Sequence, residues 1–184
     1  MWTNPIINTI KRLERKWRRK YYEYKVKKQV SSMGTGIYVG GNTILTDNTK
    51  LGNNTHFNGM TVWGLGQVEI GDNFRSGPGC DIRTMTHKYN GETLPYDTTW
   101  VVEDVVVEDN VWFGEDVTVL PGNVIKEGAI IQAESVVVND IPKCAIAGGH
   151  PAKVFKYREE EQYERLKNEG RFINSWNDIS YEYQ

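Results

Sequence analysis

The chain has 184 residues, of which 39% are hydrophobic and 25% charged, and its formal net charge is −2. This suits one globular domain with small appendages; it excludes a disordered chain, and the overall charge gives no footprint for nucleic acid. No run approaches the ~18–20 apolar residues that a bilayer span needs, and the N-terminus lacks the basic, apolar, small-residue order of a secretory signal.

The total conceals an asymmetry, because residues 1–30 carry ten Lys or Arg against two Glu. This segment reads as an amphipathic helix over 4–28. Asn4 suits the cap and Pro5 the first helical position, where its missing N–H costs nothing. Ile6, Ile10, Leu13, Trp17 and Tyr24 form one apolar stripe. Lys11, Arg12, Arg15, Lys16, Arg18 and Arg19 occupy the other side. Two roles follow: a cover for the open end of the domain behind it, and a basic face against an anionic membrane surface or an acidic or lipid-linked acceptor.

From Met33 the apolar pattern recurs every six residues, a period that fits neither an α-helix nor a simple strand. Val39, Leu45, Leu51 and Phe57 share one phase, and Thr43, Thr49, Thr55 and Thr61 the other. Gly and Asn fill the positions between, where a left-handed backbone is least costly. The beat slips in WGLGQVE at 63–69 and resumes at Ile70, Ser76 and Ile82. Residues 88–104 break it, and this segment reads as an extruded loop, the usual place for function on a tight scaffold. The beat returns at Val107, Phe113, Val119, Ile125, Ile131 and Val137, with Val111, Val117, Asn123, Ala129, Ser135 and Ile141 on the second phase. A chain that turns a corner every six residues is a β-solenoid, of about six stacked coils at three hexapeptides each. A short helix over 159–168 ends at Gly170, and residues 171–184 are aromatic and polar. The expected organisation is a basic helix over 1–30, a solenoid over 31–156 and a helix with tail over 157–184. Cys80 and Cys144 lie far apart and form no metal-like pair; they read as free thiols, which favours a reduced, cytoplasmic setting.

The pieces VWFG at 111–114, LPG at 120–122, GAII at 128–131, SVVVNDIP at 135–142 and AGGHPAKV at 147–154 resemble the hexapeptide-repeat acyltransferases of the galactoside, maltose and chloramphenicol acetyltransferase group. The resemblance covers most of 33–156. It implies an all-β left-handed parallel β-helix with an N-terminal helix, an extruded loop and a short C-terminal helix. It also implies acetyl-CoA as co-substrate, no metal, a saccharide acceptor, and a homotrimer whose active sites lie between subunits. His87 matches the family's general base, and histidine suits that task because its ordinary pKa lies near working pH. Trp112 matches a cofactor-groove tryptophan, and the backbone of Gly114 and Glu115 the place of an oxyanion donor. Ala133 matches a position on the coenzyme arm, and Lys153 and Lys156 basic residues near its phosphates. Asn58 matches an acceptor-binding asparagine.

From the residues themselves, Tyr89, Tyr96 and Trp100 in the loop suit stacking on a sugar ring, and Trp100 equally suits a subunit contact. His56 reads as a coil-face residue and His150 as a structural or cofactor-touching one. Lys126 and Glu134 stand where glycine is usual. Two rival readings remain at this level: an antibiotic acetyltransferase of the chloramphenicol or streptogramin kind, and a non-catalytic or carbonic-anhydrase-like solenoid, whose three-histidine zinc site would have to form across subunits.

Overall fold

A computed structural model describes residues 5–173, apart from the side chains of residues 5, 6, 8 and 11. The cap expected of Asn4, the contacts of Ile6 and Lys11, and the segment 174–184 lie outside the described residues.

Short strands fall into three parallel sheets, one for each side of a triangular prism. The first face carries Ser32–Met33, Thr49–Leu51, Val68–Ile70, Val105–Val107 and Val124–Ile125. The second carries Tyr38–Val39, His56–Phe57, Arg75–Ser76, Trp112–Phe113, Ile130–Ile131 and Ala145–Gly148. The third carries Met60–Trp63, Cys80–Arg83, Thr118–Val119 and Val136–Val137. Partners on neighbouring coils are mostly 18 to 20 residues apart, as in Ser32 with Lys50, Thr49 with Val68 and Met60 with Cys80. The result is a left-handed parallel β-helix of about six turns.

The six-residue beat works because each side of the prism sends its alternate residues inward. Val107, Phe113, Val119, Ile125, Ile131 and Val137 are all buried, as are Val111, Val117, Asn123, Ala129, Ser135 and Ile141. Phe57, Phe74 and Phe113 stack through successive coils, with ring centroids 5.6 and 5.1 Å apart. Backbone groups bond to the coils above and below, as Gly40 N–H to Phe57 O and Trp112 N–H to Ala129 O, so burial strands few of them.

The corner between the first and second faces is held by asparagines in the left-handed region: Asn54, Asn73 and Asn110 have φ of 52°, 58° and 60°. Their amides form a ladder, Asn54 donating to Asn73 (2.8 Å) and Asn73 to Asn110 (2.9 Å). Asn110 then donates to the Tyr163 hydroxyl at 3.0 Å. Tyr163 belongs to the C-terminal helix Glu160–Asn168, which Glu159 caps by accepting from the Glu161 and Gln162 N–H groups. The asparagine corners thus also seat the helix.

The structure departs from three expectations. Thr61 is exposed, whereas Met60 and Val62 are buried. Gly59, at φ 116°, turns the chain one residue early, and the corner through Gly64, at φ 119°, restores the register. The extruded segment begins before His87: Met85–His87 pairs antiparallel with Trp100–Val102, so His87 sits on a hairpin and not on the last coil. Across this hairpin the coil spacing jumps to 37 residues, as between Asp72 and Asp109. The third concerns the N-terminal helix Pro5–Gln29, which covers the first coil through its last turns only. Val26 is fully buried and Tyr22 and Val30 pack beside it, while Gln29 Oε1 accepts the Leu45 N–H at 3.1 Å. Ile10, Leu13, Trp17 and Tyr24, the expected covering stripe, are exposed. The other end of the solenoid is closed by Lys153–Tyr157, which adds antiparallel to Ala145–Gly148.

Candidate active site

The hairpin leaves the prism after Thr84, which is fully buried. Its far end is fixed by Asp97, which accepts the Thr99 N–H at 2.7 Å. This folds Tyr96 and Trp100 onto the two sides of the His87 ring. The Tyr96 ring stacks at 3.8 Å with an interplanar angle of 12°, and the Trp100 ring lies 3.8 Å away at 31°. Trp100 also meets Trp63 edge-on at 5.9 Å, which ties the hairpin to the third face. His87 Nδ1 is buried, and no hydrogen-bond partner reaches it among the described residues. The imidazole is therefore oriented by stacking. Of the three aromatics expected to meet a sugar, Tyr96 and Trp100 use a ring face on His87, and only Tyr89, 82% exposed, is uncommitted in this way.

The second group gathers along the corner between the second and third faces. Gly77, Gly114 and Ala133 occupy successive coils there. A Cβ on Gly77 would meet the Glu115 nitrogen at 2.5 Å, and one on Gly114 would meet the Ala133 nitrogen at 2.5 Å. Coils this close leave a smooth edge on which a long ligand can lie. Trp112 stands half exposed on the adjoining face. Gly148, opposite Lys153, packs against Gln132, so Lys153 continues the same edge, with Lys156 further along its strand opposite Ile146. Both lysines are exposed. Trp112, Gly114, Glu115, Ala133 and Lys153 therefore do fall in one strip, although 41 positions of sequence separate the first from the last.

The two backbone donors differ. Gly114 gives its N–H to Ile131 O at 2.8 Å within the ladder, which removes it as an oxyanion donor. Glu134 holds a left-handed corner at φ 57° with its side chain exposed, and His150 Nε2 meets its carbonyl. His150 thus braces the corner. Asn58 donates to Ser76 O at 3.0 Å, which commits one of its amide hydrogens to the scaffold. Beneath the strip, Cys80 is buried with its thiol 3.1 Å from Gly114 O, and burial pushes its pKa up to about 11. Such a thiol is no nucleophile.

Asn58 and Trp112 also line a hollow of about 590 Å³, together with His56, Arg75, Tyr163 and Phe172. His56 sits on the outward phase yet is only 5% exposed, packed 5.0 Å from Tyr38. Burial, aided by the Arg75 charge, lowers its pKa to about 4. Arg75 and Tyr163 were not singled out from sequence. The signal was the coil spacing itself, which sets Arg75 between His56 and Trp112. His87 does not line this hollow.

A galactoside O-acetyltransferase of Lactococcus lactis is 32% identical over 121 residues, covering 66% of this chain and 50% of that protein. The solved structure of a maltose O-acetyltransferase from Clostridium difficile superposes with a TM-score of 0.59 at 27% identity, covering 71% of this chain and 70% of that one. The chain belongs to the hexapeptide-repeat acyltransferase family. A hexapeptide-repeat acetyltransferase of Vibrio cholerae, solved in complex with acetyl coenzyme A, shares the fold at a TM-score of 0.64 and 22% identity, covering 71% and 73% of the two chains. No family model matches the chain. The chain spans about half the length of the curated relatives it matches. Within the family fold, among the described residues, no three His, Cys, Asp or Glu side chains gather as a metal-binding group. No helix there is long and apolar enough to cross a membrane.

Proposed function

We propose that the protein is an acetyl-CoA-dependent O-acetyltransferase acting on a saccharide hydroxyl, with His87 as general base. The observation that carries this reading is the pairing of two features on one scaffold: a histidine clamped between two rings at the root of the hairpin, and a smooth edge ending in exposed lysines. The named activities of the Lactococcus and Clostridium relatives, and the acetyl coenzyme A in the Vibrio structure, support the donor and the acceptor class.

In this mechanism His87 takes the hydroxyl proton as the sugar oxygen attacks the thioester carbonyl. The new C–O ester bond forms, the C–S bond breaks, and the imidazolium returns its proton to the leaving thiolate. The products are the acetyl ester and free coenzyme A, with no acyl-enzyme. The Glu115 N–H supplies the hydrogen bond to the oxygen that becomes negative. Trp112 and Ala133 line the pantetheine path, and Lys153 and Lys156 meet the phosphates as point charges. Tyr89 meets the sugar, and Asn58 bonds it through its remaining polar atoms. His87 and the strip lie at different corners of one prism, so a complete site requires the hairpin of one protomer to face the strip of the next, as in a homotrimer.

Thiol release from acetyl-CoA across a panel of saccharide acceptors tests the reading. His87→Ala should lower turnover by a factor of about 10² or more with coenzyme A still bound. Unchanged turnover in that variant, or no thiol release with any sugar, overturns it.

A further inference from the structure

The N-terminal helix presents a large apolar surface to solvent. Ile7, Ile10, Leu13, Trp17, Tyr21 and Tyr24 are between 48% and 72% exposed. At 3.6 residues per turn they fall within an arc of roughly 120°, and Trp17 lies about 180° round the axis from the buried Val26. The stripe therefore points directly away from the solenoid that the helix covers. Two explanations for an apolar helix face are thus removed: it is not the cover of the coil, and it does not pack on any other part of the described chain.

The composition of the stripe and its flanks identifies what it meets. Trp17, Tyr21 and Tyr24 carry apolar bodies with polar tips, the type of side chain that settles at the boundary between lipid headgroups and acyl chains. Exposed Lys20, Lys27 and Lys28 flank them toward the end that joins the solenoid. The helix has 25 residues, roughly 37 Å at 1.5 Å per residue, enough to lie along a surface over its whole stripe. Residues 1–30 hold a net +8, against −10 for the remainder of the chain. An anionic surface would attract the helix and repel the solenoid, which fixes the orientation of the whole molecule. A symmetric pairing of two such helices would bring like charges together.

We infer that the helix Pro5–Gln29 docks the protein on an anionic phospholipid bilayer, with Ile7, Ile10, Leu13, Trp17, Tyr21 and Tyr24 entering the interface and Lys20, Lys27 and Lys28 meeting headgroup phosphates. The helix axis lies in the plane of the bilayer, and the solenoid is held beside the membrane.

The test is flotation of the full-length protein with vesicles of phosphatidylcholine alone and of phosphatidylcholine mixed with phosphatidylglycerol. Binding is expected to the mixed vesicles only, and to fall with added salt. Each surface lysine contributes a factor of about five to partitioning, so the triple variant Lys20→Gln, Lys27→Gln, Lys28→Gln should bind on the order of a hundred-fold more weakly. The triple variant Ile10→Ser, Trp17→Ser, Tyr21→Ser should lose binding while keeping the oligomeric state by light scattering and its turnover on a soluble acceptor. Equal binding to both vesicle types, or unchanged binding by the stripe variant, overturns the inference. So does dissociation of the stripe variant into smaller species, which would show that a second copy of the chain covers the stripe.

Discussion

Acidification should weaken the fold through His56 in a narrow and calculable window. In the folded protein its pKa is lowered to about 4 by burial, with the Arg75 charge adding to the effect. In the unfolded chain the imidazole takes up a proton near its ordinary pKa of about 6.5. Above that value neither state is protonated and His56 has no effect on stability. Below it the unfolded state binds a proton that the folded state refuses, so stability falls as pH drops from about 6.5 to about 4 and then levels off. The full difference corresponds to roughly 3 kcal/mol at 1.36 kcal/mol per pKa unit. Between about pH 7.5 and about pH 5 the linkage relation gives a loss of about 2 kcal/mol. Urea unfolding of wild type and His56→Gln, at both pH values and one protein concentration, isolates this term. The variant starts from its own baseline, and only the change with pH is compared. It should lose about 2 kcal/mol less than wild type on acidification. Equal losses would refute the buried, neutral state of His56.

Phe113→Ala should cost about 3–5 kcal/mol, because the ring is fully buried and packs on Phe74, and urea unfolding near neutral pH measures it. Gly114→Ala places a methyl group 2.5 Å from the Ala133 nitrogen. The coils must separate, so the melting temperature should drop by several degrees, in line with a cost of about 1–3 kcal/mol, and coenzyme A affinity should fall with it.

Much of the solenoid was legible because its period is written in bulky residues. Val107, Phe113, Val119, Ile125, Ile131 and Val137 are spaced by the geometry that buries them, so phase alone located the core. Thr61 misled because one glycine, Gly59, carries the whole register change, and a glycine in a run of corner glycines gives no warning. The N-terminal stripe was visible, but its direction was not. Amphipathicity says that a helix has two faces, whereas Val26 and Tyr22 decide which one meets the coil. The same limit applied at the site. The residues Trp112, Gly114, Glu115, Ala133 and Lys153 came from the family resemblance, matched one by one to its motifs. The stacking of Tyr96 and Trp100 on His87 depends on how an aperiodic hairpin folds back, which no repeat encodes. The commitment of the Gly114 N–H to Ile131 likewise belongs to the third dimension.

Subunit mixing tests the central claim most directly. His87→Ala removes the imidazole, and Ala133→Trp blocks the strip at an exposed position. Each variant alone should form an inactive trimer. Unfolded, mixed in equal amounts and refolded together, the two should recover about a quarter of wild-type turnover, because that share of seams joins an intact histidine to an intact strip from the neighbouring protomer. No recovery in mixed trimers of normal size would contradict a site built between subunits.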